Sequence, residues 1–467
     1  MPASVQKTTV GAIQTDVLDY TAGDDSRLDR ALVEVDCLGT AAHVTMLARV
    51  PIKPAIISAT QQKRVVAELV NVMQQARAGT FRITVADQDV HMAVERHLTR
   101  KLGEAGRRVH TARSRNDQVA LDLRLYSRES IAGCIDECIA LAMALTQLAS
   151  KTRSVPMAGR THMQPAMPST VGLWASAHAE SLLDDLTLLD AAYVLNDQCP
   201  LGAAAGYGVP LPIDRELSAR LLGFSRVMNN VLYATSARGK CESAILGALG
   251  QVMLTLSRLS QDLMLYGLPE FGYFTLPAEL GTGSSLMPQK NNPDVLELVR
   301  ARSAVVLSAA HTTAEIMRGL PGGYNRDAQE SKGLLMQGVE ITRSSLRILV
   351  PMIDALQVNR KALRAGFGAG VFATDRVLEL VAEGMPFRDA YQNVKRHLSD
   401  LNDRDPQTAA LQKTHRGAPG NLDLPGLRRK LTQHGRQNRS RRMDCQRALS
   451  KLLGVRYPDL KSKRSHT

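Results

Sequence analysis

Residues 242–267 read Glu-Ser-Ala-Ile-Leu-Gly-Ala-Leu-Gly-Gln-Val-Met-Leu-Thr-Leu-Ser-Arg-Leu-Ser-Gln-Asp-Leu-Met-Leu-Tyr-Gly, and this stretch decides the fold. Ile245, Leu249, Val252, Leu256, Leu259 and Leu263 step through it by alternating fours and threes, the seam of a packed helical bundle. As one helix the stretch extends about 39 Å. Ile131, Ile135, Cys138, Leu141, Leu145 and Leu148 repeat the seam, a third apolar helix runs through 173–195, and a fourth follows Pro293. Several helices of this length predict an all-α protein with a long central bundle. Aromatic residues make up only 4% of the chain against 44% apolar, which also favours packed helices over sheets.

Breakers cluster at 155–168, 199–212, 268–293 and 319–324, marking loops at the bundle ends. The expected organisation is a helical N-terminal domain over 1–108, a central bundle over 109–355 carrying the catalytic loops, and a helical C-terminal domain over 356–467 with a basic tail. Repeats and low-complexity tracts are absent. No run of about 18 uncharged apolar residues predicts a membrane span, and the first residues lack the pattern of a signal peptide. Six scattered cysteines complete no zinc pattern, so free thiols in a cytoplasmic setting and no metal are expected.

The net charge of +13 is unevenly placed. From 407 to 467 there are 15 Lys+Arg against three acids, leaving a nearly neutral body. No aromatic stacking module accompanies the charge, so nucleic acid is not expected as the main partner. The basic stretch reads as a peripheral tail. Its other readings are a packed helix with Leu427, Leu431, Leu449, Leu452 and Leu453 as the apolar face, and a weak polyanion site.

Four polar, glycine-rich segments interrupt the helices. Thr111-Ala112-Arg113-Ser114-Arg115-Asn116-Asp117-Gln118 offers two arginines, an amide and hydroxyls, suited to a carboxylate because the guanidinium fork matches it bidentately. A solvated helix start is its plainer reading. Gly159-Arg160-Thr161-His162-Met163-Gln164-Pro165 places His162 beside a hydroxyl, where it serves as acid, base or charged anchor, or is simply structural. Gly281-Thr282-Gly283-Ser284-Ser285-Leu286-Met287-Pro288-Gln289-Lys290-Asn291-Asn292-Pro293 is either a plain linker or a loop that closes over a ligand. In a closed site Lys290 and backbone amides would lower the pKa of a serine base. Glu297 follows at the start of the next helix, placed to orient an imidazole. The segment 318–332 adds Tyr324, Gln329 and Lys332 as donors, or is a generic surface loop.

Together these segments resemble the three signature regions of the aspartase/fumarase superfamily, in order. Gln289, the 113–118 run, Gly-Leu-Pro-x-x-Tyr-Asn-x-Asp-x-Gln-Glu, Pro200-Leu201-Gly202-Ala203 and Pro212-Ile213-Asp214-Arg215 are similar to its argininosuccinate lyase branch. The resemblance runs from about Asp36 to about Asp389.

It implies a fumarase/aspartase-like helical homotetramer whose active sites each draw on three subunits, with no cofactor and no metal. The implied reaction is anti β-elimination of argininosuccinate to arginine and fumarate, a step of arginine biosynthesis. By position, Ser284 is the base, His162 oriented by Glu297 is the second catalytic residue, and Lys290 and Asn292 hold the substrate carboxylate. Arg115, Asn116 and Thr161 bind the succinyl part, and Asp89, Tyr324, Gln329 and Lys332 complete the pocket. His91 and Glu95 are expected to be structural. Three stretches depart from the pattern: Asp25-Ser26-Arg27-Leu28-Asp29, Ser236-Ala237-Arg238-Gly239-Lys240, and Lys290-Asn291-Asn292-Pro293. The first two bear on recognition of the guanidinium half. They leave open a sibling C–N lyase acting on another N-substituted aspartate, and a non-enzymatic crystallin-like protein on the same scaffold is the third reading.

Overall fold

The computed structural model describes residues 5–8 and 11–462. Three helices, α1 (Val33–Leu47), α2 (Ala59–Arg77) and α3 (Val90–Leu102), form the N-terminal region. Helix α2 opens on a capping box, in which the Ser58 hydroxyl accepts from the Gln61 N–H while the Gln61 side chain accepts from the Ser58 N–H. The central bundle follows as α4 (Arg115–Lys151), α5 (Val171–Asn196), α6 (Lys240–Gly267), α7 (Asp294–Met317) and α8 (Glu330–Asp354). The seam predicted from 242–267 is buried along α6, with Ile245, Leu249, Val252, Leu256, Leu259 and Leu263 each at most 3% exposed.

Cross-helix contacts fix the direction of each helix. Asn196 donates to the Arg124 carbonyl and Trp174 to the Asp262 carboxylate, so α5 runs against both α4 and α6. Ser243 donates to the Ala310 carbonyl and Arg300 to Gln261, so α7 runs against α6. Arg343 on α8 meets Glu137 on α4, near the middle of both helices. Helices α4, α6 and α8 therefore start at one end of the bundle, where α5 and α7 finish. The near end gathers residues around 115, 238, 324 and 332. The far end gathers the 152–170 connection and the 268–293 loop.

By length and composition alone helix α4 could cross a membrane, but two-thirds of its most apolar window (67%) is buried within the protein. It is placed as a core helix. A separate small core of Phe372, Val377, Leu380, Ala390, Val394, Leu401 and Ala409 follows the bundle.

The basic stretch is not a peripheral tail. It forms α9 (Leu424–Leu453), laid along α4, and the five leucines of the packed-helix reading are all buried. Buried Asn438 donates to the Ala132 carbonyl and the Asp136 carboxylate, and Arg441 pairs with Asp190. Arg442 pairs with Glu129 and Asp136. Beyond α9, the Tyr457 hydroxyl donates to Glu34 at 2.8 Å, tying this segment to the N-terminal region. The peripheral reading failed because charge density says where solvent can sit, whereas the i, i+4 leucines decide which face packs.

Candidate active site

The near-end site begins with how α4 starts. The Ser114 hydroxyl accepts from the Asn116 N–H, and the Ser114 N–H donates to Asp117. The other oxygen of buried Asp117 accepts from the N–H groups of Gly202 and Ala204 at 3.0 and 2.9 Å. Gly202 has φ +86°, and a Cβ there would sit 2.8 Å from the Arg215 side chain, so only glycine fits. Arg215 in turn donates to the Leu201 carbonyl. Three motifs distant in sequence are thus one brace that aims the first turn of α4.

That turn opens onto a cleft of about 180 Å³. Arg115 reaches across it to Gln88 at 3.0 Å and Asp89 at 3.3 Å. Asp89 also caps α3, accepting from the Met92 N–H. Lys332, 2% exposed, lies between Asp29 at 2.5 Å and Asp25 at 2.6 Å. Asp29 further accepts the Val90 N–H. Asn116, Tyr324 and Gln329 line the same space with Arg238 and Arg326. Six predicted residues therefore meet here: Asp89, Arg115, Asn116, Tyr324, Gln329 and Lys332.

Beneath the cleft, His91 Nδ1 pairs with Asp36 at 2.7 Å and lies 3.7 Å from Asp122. Burial opposes charge on this imidazole, but the hydrogen bond and charge of Asp36, joined by Asp89 and Asp122, carry its pKa up to about 9. The residue is a buried imidazolium fixed by carboxylates. The ligand atoms of Asp36, His91 and Asp122 lie within 4.8 Å of one another, so a cation there would have to displace the proton that pairs His91 with Asp36.

The far end carries the other six. Residues 156–170 form a two-stranded hairpin pairing Thr161 with Gln164. His162 and Met163 occupy the two-residue turn at φ 52° and 65°, the left-handed geometry a tight hairpin needs and non-glycine residues seldom supply. Arg160 steadies the turn, donating to the Met163 carbonyl and stacking over Phe271 at 4.7 Å. Thr161 and His162 stand exposed at the tip. Among the described residues, His162 has no side-chain partner.

In the 282–292 loop, Thr282 pairs with Asn292 and Gly283 with Asn291. The Ser284 hydroxyl sits at the loop's turn, accepting from the Leu286 and Met287 N–H groups at 3.3 and 3.1 Å. Those amides are oriented to stabilise negative charge on this oxygen. Lys290 and Glu297 are exposed, and Asn292 is half-buried. Within one chain Glu297 does not meet His162, and Lys290 does not meet Ser284.

The two groups are held apart by the length of the bundle: the 24 residues of α7 alone span about 36 Å. One chain places both halves at opposite ends of a rigid rod. Sequence reading missed Asp25, Asp29, Gln88 and Arg238 as cleft residues. Asp25 and Asp29 stand four residues apart on one helical face, but nothing local ties them to their shared partner Lys332.

Residues 12–308 match the family model described as lyase. The chain is 42% identical to an argininosuccinate lyase of Sorangium cellulosum, over 91% of this chain and 98% of that protein. It is 39% identical to one of Thermotoga neapolitana, over 82% and 95% respectively. Among solved structures, an EDDS lyase in complex with formate superimposes with TM-score 0.80 at 20% identity, covering 93% of this chain and 94% of that one. The class II fumarase of Schistosoma mansoni gives 0.69 at 16% identity, covering 88% and 100%. These structural likenesses bear on the fold, which is all-α and fumarase-like.

Proposed function

The chain belongs to the lyase family, among its argininosuccinate lyases, and on that footing we propose that it cleaves argininosuccinate to arginine and fumarate. It is a carbon–nitrogen lyase. The observation that carries the substrate reading is similarity at about two residues in five to argininosuccinate lyases along nearly the whole chain. The near-end cleft, with Arg115, Asn116, Tyr324, Gln329 and Lys332 around one space, supports it.

In this reading Ser284 removes the proton from the carbon beside the substrate carboxylate. The electrons move into that carboxylate, forming a doubly negative intermediate that Lys290 and Asn292 stabilise. The C–N bond then breaks, and the departing nitrogen is neutralised with the help of His162, acting as proton donor or by its charge, with Glu297 orienting the ring. Thr161, Arg115 and Asn116 hold the succinyl half. Asp89, Tyr324, Gln329 and Lys332 hold the rest.

Because one chain separates these residues by the bundle length, the working enzyme is read as a homotetramer whose antiparallel neighbours bring far-end loops onto near-end clefts. A cytoplasmic role in arginine biosynthesis completes the proposal. Incubating the purified protein with argininosuccinate and following fumarate by ultraviolet absorbance tests it.

One observation favours a second substrate. A cavity of about 420 Å³ adjoins the cleft through Arg238 and Tyr324; Arg238 lies 3.8 Å from Glu242 and Arg318 pairs with Glu315, leaving Lys240 as its cation without a carboxylate partner among the described residues. The Lys240 ammonium there disfavours a guanidinium and suits an anionic leaving group. Fumarate release from another N-substituted aspartate, without release from argininosuccinate, would establish this reading instead.

A further inference from the structure

Helix α9 carries its positive charge in two unlike halves. Toward its C-terminal half, Arg441 and Arg442 are neutralised by Asp190, Asp136 and Glu129 of the bundle, and Arg447 by Asp444 of its own helix. Toward its N-terminal half, Arg428, Arg429 and Arg436 are left without a carboxylate partner among the described residues. They face a groove of about 800 Å³ between α9 and the end of α4.

The opposite wall supplies Thr146, Ser150 and Arg153. These three step along their segment by four and three, and Arg429, Thr432, Gln433 and Arg436 stand at i, i+3, i+4 and i+7 of α9, so each row is one face. Arg153 likewise has no carboxylate partner, its guanidinium reaching only the Gly420 carbonyl at 3.4 Å. No acidic side chain lines the groove. Four guanidinium groups converge there from two elements, with hydroxyls between them and an apolar floor from Leu422, Leu424 and Pro425.

Like charges gathered around a concavity repel one another, and the focused field lowers the free energy of any anion that enters. Guanidinium forks bind phosphate oxygens bidentately, and several such contacts favour a ligand with more than one phosphate. The volume falls within the range of small-molecule sites. A nucleic acid would require a charged track continuing past the groove with stacking aromatics. Instead, beyond the groove Glu129, Asp136 and Asp190 neutralise Arg441 and Arg442, leaving Arg439 as an isolated exposed charge on that stretch. We infer that the groove between α4 and α9 is a binding site for a small molecule bearing two or more linked phosphates, separate from the proposed active-site residues.

Inorganic tripolyphosphate is the probe, titrated calorimetrically into the full-length protein at low and moderate salt. The expected result is one tripolyphosphate per subunit, with affinity falling steeply as salt rises. R429E/R436E should weaken binding by about a hundredfold or more, since each arginine makes charge-assisted contacts. R416E/K451E removes equal charge from exposed positions outside the groove and should leave binding within about threefold. Both variants should keep wild-type helicity by circular dichroism, because all four side chains are exposed. Absent binding, or equal weakening in the two variants, overturns the inference. So does a single-stranded RNA of equal phosphate content that binds more tightly than tripolyphosphate, since that assigns the face to nucleic acid.

Discussion

At the near end of the bundle, the proposed substrate-binding side chains are tied down before any ligand arrives. Lys332 lies between Asp25 and Asp29, Arg115 reaches Asp89, and His91 is clamped beneath them by Asp36. At the far end, His162, Lys290 and Glu297 stand exposed with no side-chain partner among the described residues, and Ser284 bonds only to amides of its own loop. A preorganised half holds ligand with little ordering cost, and an unpartnered half is what a protein leaves where another surface completes it. On the proposed homotetramer, the missing contacts would lie between subunits rather than within one.

The widest test of that contrast removes what spans both ends. Truncation after Gly417 deletes α9, which runs from the Arg153 groove to the segment bonded to Glu34. Losing five buried leucines at about 2 kcal/mol each removes about 10 kcal/mol, comparable to the whole stability of a typical domain. The truncated chain is expected to be insoluble or unfolded by circular dichroism. A folded truncation would show that the two ends hold their places without α9.

The ends should then respond oppositely to single substitutions. At the far end, Ser284→Ala is expected to cut turnover by about a thousandfold or more while leaving the urea midpoint unchanged, because its bonds are local and half-exposed. At the near end, Lys332→Met strands two carboxylates and should cost about 3–5 kcal/mol of stability as well as activity. Adding Asp25→Asn and Asp29→Asn should restore much of the stability and none of the turnover. If Ser284→Ala destabilised and Lys332→Met did not, the comparison would be inverted.

A smaller effect belongs to the near end alone. The folded pKa of His91 is raised from 6.5 to about 9, so its contribution is fully present below about pH 6.5 and is lost as pH rises through 9. Such a shift corresponds to at most about 3 kcal/mol. Unfolding free energy measured between pH 6 and pH 10 should fall in the wild type, and His91→Gln should flatten the curve. Parallel curves would detach His91 from the pairing.

These contrasts also show what could be read from the chain. The α6 seam was legible because a 3.5-residue repeat is local, and five of the cleft residues lie in polar segments, 111–118 and 318–332, that stood out from the helices, whereas Asp89 came only through the family resemblance. The role of Asp25 and Asp29 was hidden, since the partner they share, Lys332, lies 303 residues from Asp29. Helix direction was hidden for the same reason: only contacts such as Trp174 with Asp262 show that Ser284 and Arg115 sit at opposite ends. The hairpin at 156–170 read as a proline-broken loop because its turn uses His162 and Met163 where Asn-Gly would have signalled it.

Mixing two inactive proteins tests the shared site most directly. Ser284→Ala subunits and Arg115→Ala subunits, each expected to be inactive alone, are denatured together and refolded into mixed assemblies. If every site takes Ser284 from one subunit and Arg115 from another, random assembly leaves about one site in four with both intact, and turnover should recover to about that fraction of wild type. Mixed assemblies confirmed by mass that stay as inactive as either parent would contradict the account.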